Sequence, residues 1–142
     1  MIVIKGKEET INLKITFSKT YLFSKEVCPK DESLLSVIPN KVMANDGLEF
    51  LVKLVKHYQV DTKFDEVQVA KILDEYFEEP ENDMFVLYTS ILKEYDYAGV
   101  FKKGLGKQMA ESLEKAMNQV GEQMTKTVNS LTENAPKNGS KN

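Results

Sequence analysis

The side chains that most often perform chemistry are scarce in this chain of 142 residues. It contains one histidine, His57, and one cysteine, Cys28. A zinc site needs three or four ligands of the His, Cys or carboxylate type, and no further His or Cys accompanies these two. Cys28 stands directly before Pro29 with no histidine nearby to activate its thiol. We therefore predict no metal site, no cofactor and no catalytic residue, and we interpret Cys28 as a buried or half-buried thiol.

Two segments resemble ligand-binding motifs in composition but not in spacing. Six carboxylates lie close together at Asp74, Glu75, Glu78, Glu79, Glu81 and Asp83. They lack the Asp-x-Asp-x-Asp-Gly order of a calcium loop, so we interpret them as a solvated face that ends at a helix boundary. The run from Gly104 to Lys107 has two glycines and a lysine, but neither the preceding strand nor the spacing of a phosphate-binding loop. Nothing in these motifs indicates an enzyme.

Charge is distributed unevenly along the chain. Residues 1–100 carry 12 Lys and 18 Asp or Glu, a net charge of −6, whereas residues 101–142 carry 7 Lys and 4 Glu, a net charge of +3. All 19 basic residues are lysine, so the planar guanidinium that makes bidentate contacts with guanine or phosphate is missing. We therefore expect no nucleic-acid partner.

The apolar segments and the cysteine content indicate the cellular compartment in which the protein is expected. The longest apolar runs, such as residues 85–88, are far too short to span a membrane. We expect no secretory signal peptide, because no charged-then-apolar leader opens the sequence. A single cysteine cannot form an internal disulfide, which favours a reducing compartment such as the cytoplasm.

The N-terminal residues favour two β-strands. An apolar run at 2–4 precedes Gly6, which we expect to supply the positive φ of a tight turn. From Ile11 to Phe17 apolar and polar residues alternate, as is typical of a strand with one buried and one solvated face. We predict an antiparallel hairpin over residues 2–17, whose apolar face must be covered by other elements.

Helices are the predicted cover of that face. Ser18 is placed to cap a short helix that Pro29 ends, and the segment from Pro29 to Asp46 has room for a helical turn at 34–35. Asp46 is the predicted N-cap of the next helix, and Thr62 with Asp65 form a predicted capping pair for another. A further helix is predicted over 82–97 and ends at Gly99. The expected fold is α+β and mostly helical, with a hairpin followed by a helical bundle.

The last third of the chain predicts a long amphipathic helix. After a glycine-containing hinge, apolar residues recur at alternating steps of four and three residues, as in a heptad stripe: Leu113, Met117, Val120, Met124 and Leu131. The predicted organisation is a hairpin and helical domain over 1–103, a C-terminal helix over 104–131 and a disordered polar tail over 132–142.

The apolar stripe has two interpretations. Amphipathic helices usually pack on their own domain, so the stripe could complete the core. Flexible methionine side chains also suit surfaces that accept differing apolar partners. As candidate contacts with a partner helix or a neighbouring copy we take Met109, Leu113, Met117, Val120 and Met124.

The order of these elements resembles the tail assembly chaperones of long-tailed bacteriophages, and is closest to those of phages of lactic-acid bacteria. The resemblance covers about residues 1–103. It is carried by the hairpin segments, the short helix that follows them and the next three helical segments: 2–7, 11–17, 18–26, 47–51, 64–67 and 82–97.

The resemblance implies a non-enzymatic protein of the host cytoplasm that is absent from the mature virion. Such proteins bind the long, helical tape measure protein and keep it soluble until the tail tube polymerises around it. The partner that the resemblance implies is the tape measure protein. Separately, the opposite net charges of residues 1–100 and 101–142 predict head-to-tail homo-oligomers in a ring or spiral, and the short apolar runs predict no membrane contact. The alternative is a small structural virion protein, such as a head–tail connector or tail component.

Overall fold

The computed structural model describes residues 1–61 and 63–131 with their side chains, and the helical backbone of 132–140. Within these residues the fold is mostly helical, with a two-stranded hairpin followed by six helices, as the sequence predicts. The elements are β1 Ile2–Lys5, β2 Thr10–Leu13, α1 Phe17–Val27, α2 Leu34–Val42, α3 Gly47–Tyr58, α4 Glu66–Tyr76, α5 Met84–Ala98 and α6 Leu105–Ser140. The predicted disordered tail, 132–142, and the predicted capping role of Thr62 lie outside the residues described with side chains.

The hairpin pairs its strands antiparallel, with Ile4 opposite Ile11. Both of these side chains are fully buried against the helices, so one face of the hairpin is core. Gly6 does not adopt the positive φ that the sequence suggested. A Cβ at Gly6 would lie 2.9 Å from the backbone carbonyl oxygen of Glu9, so the close approach of the chain within the hairpin turn favours glycine there.

The hairpin is shorter than predicted, because α1 begins where the alternating pattern still continues. The Thr16 hydroxyl accepts a hydrogen bond from the backbone N–H of Lys19 at 3.2 Å, so Thr16 and not Ser18 is the N-cap of α1. Phe17, predicted on the buried face of a strand, is the first residue of α1 and is exposed. Beyond the hairpin, Leu13 forms an isolated antiparallel bridge with Gln59 at the end of α3.

Helix α2 is longer than the single turn predicted. It contains Pro39, which lacks an N–H and is unfavourable inside a helix. Four side chains on one face are nevertheless buried in the core: Leu34, Val37, Ile38 and Val42. Burial of that face offsets the hydrogen bond that the proline removes.

The caps of the later helices agree fully with their sequence signals in one of three cases: Gly99 ends α5 with a left-handed φ of 72°. At α4 Asp65 is itself the N-cap and forms a complete capping box with Gln68, so the predicted role of Asp65 as the partner of a cap at position 62 is wrong. Asp46 is the N-cap of α3 by position, but its carboxylate makes no capping hydrogen bond and pairs instead with Lys41.

A buried set of tyrosines connects α1, α3 and α5. The Tyr58 hydroxyl donates to Oγ1 of Thr20 at 2.9 Å and lies 3.2 Å from the hydroxyl of Tyr95. Tyr88 donates to the carbonyl oxygen of Gly47 at 2.8 Å. Among the described residues, no buried side-chain nitrogen or oxygen lacks a hydrogen-bond partner. In the same part of the chain, no helix has both the length and the apolar character that a membrane crossing requires.

Candidate functional site

Helix α6 lies beside α5, to which a short turn at 99–104 connects it. The first turns of its apolar stripe contribute to the domain. Ala110 is buried, and Met109 and Leu113 are half-buried and pack against the core. Met117 is also half-buried. This part of the stripe therefore belongs to the core, which was one of its two interpretations.

The second part of the stripe has no cover in the described structure. Every residue from 118 to 131, here called the α6 overhang, is exposed. Four of its apolar side chains are 38–64% exposed, and they continue the face that packs on α5: Val120, Met124, Val128 and Leu131. The predicted partner-binding set is thus divided, with Val120 and Met124 free and Met109 and Leu113 packed.

The overhang arises from a difference in helix length. Helix α5 has 15 residues, which at the α-helical rise is about 22 Å. Residues 105–131 of α6 reach about 40 Å at the same rise. Because the two helices are connected by a short turn, the last ~18 Å of this part of α6 extends beyond α5.

The positions that flank the exposed stripe carry no charge. If Met124 and Leu131 are taken as one seam position of the heptad, the adjoining positions within the overhang are Gly121, Gln123 and Ser130, together with Val128 of the stripe itself. Glu122 and Lys126 lie away from this seam. Two helices of this type can therefore approach each other without bringing like charges together.

The start of α6 is held firmly on α5. The carboxylate of Asp96 accepts hydrogen bonds from the backbone N–H groups of Gly106 and Lys107 at 2.7 and 3.0 Å. A Cβ at Gly106 would overlap the carbonyl oxygen of Leu92, so the helices approach closely there. Gly104 has a φ of 92°, as the turn before α6 requires. The segment that the sequence suggested as a hinge thus consists of a turn up to Gly104 and the first residues of α6, which Asp96 fixes to α5.

A second apolar surface lies between α1, the N-terminus of α2 and the α5–α6 turn. It is a groove of about 720 Å³. One wall is a face of α1 with residues four, three and four apart: Phe17, Tyr21, Ser24 and Cys28. The remaining apolar lining residues come from α2, the α5–α6 turn and the start of α6: Leu34, Leu35, Val100, Phe101 and Leu105. Phe101 is anchored against the ring of Tyr95, with ring centroids 5.3 Å apart.

The charged residues of this groove are mostly basic. Lys25, Lys30 and Lys102 line it, with Glu32 as the one carboxylate among its described lining residues. None of the three lysines forms an ion pair with a described residue. The Nζ of Lys25 lies 5.2 Å from the ring centroid of Tyr21, a cation–π contact that keeps it beside the groove.

His57 and Cys28 occupy structural positions. Nε2 of His57 lies 2.6 Å from the carbonyl oxygen of Lys19, and its ring packs on Phe23 with centroids 4.9 Å apart. Cys28 is half-buried in the groove wall. Burial raises the pKa of its thiol, and the nearby Glu32 carboxylate raises that pKa further.

The acidic residues after α4 do not form a cluster with ligand geometry. Over residues 1–61 and 63–131, no three His, Cys or carboxylate side chains lie together in a way that could hold a metal ion. Lys7 forms an ion pair with Glu78 at 3.4 Å, and the carboxylate of Asp83 caps α5 through the N–H of Val86 at 2.9 Å.

In comparisons with known proteins, no family, curated protein or solved structure matches this chain.

The groove is not predicted by the sequence patterns. Phe17 was assigned to a strand, and Leu35 to a single helical turn. One signal was available: Phe17 and Tyr21 are four residues apart, and Phe23, which is buried, lies on the opposite side of the same helix. A helix with aromatic residues on two faces indicates either a fully buried helix or one with an exposed apolar face.

Proposed function

We propose that this chain is a non-enzymatic tail assembly chaperone of a long-tailed bacteriophage, which binds the tape measure protein and keeps it soluble until the tail tube polymerises. The observation that supports this proposal is the α6 overhang, an exposed apolar helix face attached to a well-packed domain. A soluble protein rarely leaves such a stripe uncovered unless a partner covers it.

The chemistry of the overhang suits a helical client. Its apolar residues repeat at heptad spacing, which is the pattern that two helices use to pack along their length. Met124 is flexible and polarizable, so it can adapt to the irregular seam of a long client that presents many different side chains.

The test is co-expression with the tape measure protein, which we expect to be encoded directly downstream of this chain. Val120→Gln, Met124→Gln and Val128→Gln remove the apolar surface of the overhang, and glutamine has good helix propensity. We expect the triple variant to fold normally and to leave most of the client insoluble.

A matched control removes apolar surface elsewhere on the domain. Leu48 on α3 and Val67 on α4 are 68% and 79% exposed, so their replacement by glutamine changes a similar apolar area. We expect this control to solubilise the client fully. Equal client solubility with the overhang variant, the control and the unmodified chain would contradict the proposed role of the overhang.

A second measurement separates the chaperone from a structural virion protein. A chaperone of the host cytoplasm is absent from purified virions, whereas a connector or tail component remains in them. Mass spectrometry of purified virions, normalised to the major tail protein, is expected to find none of this chain. Its presence at a fixed stoichiometry would favour the structural alternative.

A further inference from the structure

We infer that the groove between α1, α2 and the α5–α6 turn is a second docking site, which takes an amphipathic helix with carboxylates beside its apolar face. This inference rests on the proposed function to the extent that the natural helix would belong to the client. The groove itself can be tested without the client.

The exposure of the aromatic residues is the first argument. Phe17 and Tyr21 are 63% and 54% exposed although they stand side by side on α1, one turn apart. Leu35, which lines the same groove, is also exposed. Burying two aromatic rings and a leucine would remove a substantial apolar area from water, which is a strong driving force for association.

The dimensions of the groove favour a helix as the occupant. Its α1 wall extends from Phe17 to Cys28, a distance of about 16 Å along the helix axis. That length equals about three turns of a docked helix, with apolar residues at positions i, i+4 and i+7. The volume of about 720 Å³ leaves room for several large apolar side chains.

The charge of the groove determines which helix fits. Lys25, Lys30 and Lys102 line it against the single carboxylate of Glu32, so the groove has an excess of positive charge. The lysines are free of ion pairs with described residues, so they can pair with carboxylates of a docked helix. An occupant with acidic flanks is therefore favoured over one with basic flanks.

The same reasoning argues against the overhang of a second copy as the occupant. Residues 118–131 carry one acidic residue, Glu122, and one basic residue, Lys126. Their charges cancel, so the overhang offers no complement to three lysines. We therefore assign the groove to an acidic helix from another protein.

Two synthetic peptides test the assignment against the full chain. Both are amphipathic helices of about three heptads with the same leucine seam, and they carry either glutamate or lysine at the flanking positions. Fluorescence anisotropy is expected to show about threefold to tenfold tighter binding of the glutamate peptide. This difference should largely disappear at about 1 M salt, where the Debye length is about 3 Å.

Groove variants locate the binding site. The double variant Phe17→Ser and Tyr21→Ser is expected to weaken binding of the glutamate peptide by about tenfold or more, because it removes two aromatic contacts. The triple variant Lys25→Glu, Lys30→Glu and Lys102→Glu keeps the apolar surface and is expected to reverse the peptide preference. The double variant Leu48→Ser and Val67→Ser is the matched control and should bind like the unmodified chain.

Cys28 gives a direct reporter, because it is the single thiol and lines the groove. Saturating glutamate peptide is expected to slow alkylation of Cys28 by iodoacetamide, and the lysine peptide at the same concentration should slow it less. Unchanged alkylation at saturation, or peptide binding that is lost with the overhang variant but kept by the groove variants, would overturn the assignment. Protection of Cys28 by self-association without peptide would assign the groove to a second copy instead.

The two proposals can fail separately. If the glutamate peptide protects Cys28 but the chain does not solubilise the tape measure protein, the proposed function fails and the groove assignment stands. If the client is solubilised but neither peptide binds in the groove, the groove assignment fails alone.

Discussion

The carboxylate of Asp96, near the end of α5, accepts a hydrogen bond of 2.7 Å from the backbone N–H of Gly106 in the first turn of α6. A helix usually receives its cap from the residue that precedes its own first turn. Here the cap comes from the neighbouring helix, so the same contact satisfies the start of α6 and fixes its position on α5. This pair is therefore one of the contacts that orient α6 on α5.

Replacing Asp96 by alanine should loosen that attachment. We expect Asp96→Ala to lower the free energy of unfolding by about 0.5–2 kcal/mol, the usual cost of losing an N-cap. Urea unfolding monitored by circular dichroism measures this change in the free energy of unfolding. Asp74→Ala, an exposed aspartate on α4, is the control and should change stability little. Equal losses in the two variants would show that the Asp96 cap contributes nothing.

The glycines at 106 and 121 should respond to alanine with opposite signs. Gly106 has no room for a Cβ, so Gly106→Ala should destabilise the fold by about 1–3 kcal/mol despite the better helix propensity of alanine. Gly121 faces open space, so Gly121→Ala should increase the helicity of the overhang. Thermal unfolding and the helical circular dichroism signal distinguish the two. A stabilised Gly106→Ala variant would contradict the close approach of α5 and α6.

Stability should decrease at alkaline pH because of the buried tyrosines. Burial raises the pKa of Tyr58, Tyr88 and Tyr95 above the ordinary value near 10. Between pH 10 and those higher values the unfolded chain loses phenolic protons that the folded chain keeps, so unfolding becomes easier as pH rises. We expect full stability from these groups below about pH 10 and a progressive loss above it.

Urea midpoints measured between about pH 8 and about pH 11 check this prediction. Tyr88→Phe keeps the ring but removes the hydroxyl that donates to Gly47. This variant should be less stable at neutral pH and should lose less stability on going to alkaline pH. A flat profile for the unmodified chain would contradict the burial of these hydroxyls.

Alkylation of Cys28 should be slow at neutral pH. The thiolate is the reactive form, and the raised pKa reduces its population near pH 7. Iodoacetamide should therefore react more slowly with Cys28 than with the thiol of glutathione. The rate should increase with pH, and the midpoint of that increase should lie at a higher pH for Cys28 than for glutathione. Glu32→Gln removes the smaller cause of the raised pKa and should accelerate the reaction modestly. A rate equal to that of glutathione at every pH would contradict the half-buried setting.

Self-association is expected from two features of the chain. Its C-terminal residues carry a net charge of +3 against −6 on residues 1–100, which favours head-to-tail contacts between copies, in a ring or spiral. The uncharged flanks of the overhang also permit contact between copies. Light scattering should show a mass above the monomer at low salt, and the mass should fall with salt if charge pairs dominate. A strict monomer at high protein concentration and both salt levels would exclude self-association.

The long helices were predictable because their local signals agree with one another. The helix predicted over 82–97 is observed at Met84–Ala98, where an aspartate cap, an apolar stripe and Gly99 all indicate the same bounds. Helix α2 was largely missed, since Pro39 suggests a break and the compensation comes from burial of the opposite face. Phe17 was misassigned because the alternation of a strand continues into the first residue of α1.

The candidate site was predictable in part. Heptad spacing identified the stripe on α6, but spacing alone does not tell which of its residues are covered. That division depends on where α5 ends beside α6, which is a relation between two helices and not a property of either sequence. The groove depends on three separate segments brought together by the fold, so no single stretch of sequence contains its signal.

The α6 overhang is also a helix that leaves the domain that would stabilise it, and helix–coil equilibrium governs such a segment. Isolated helices shorter than about 12–15 residues are marginal in water. Residues 118–131 also include Gly121, Thr125 and Thr127, which have low helix propensity. Their amide hydrogens should exchange much faster than those of α5. When a partner orders this segment, the cost of that ordering reduces the net free energy of binding. Capture of a long client is therefore readily reversible.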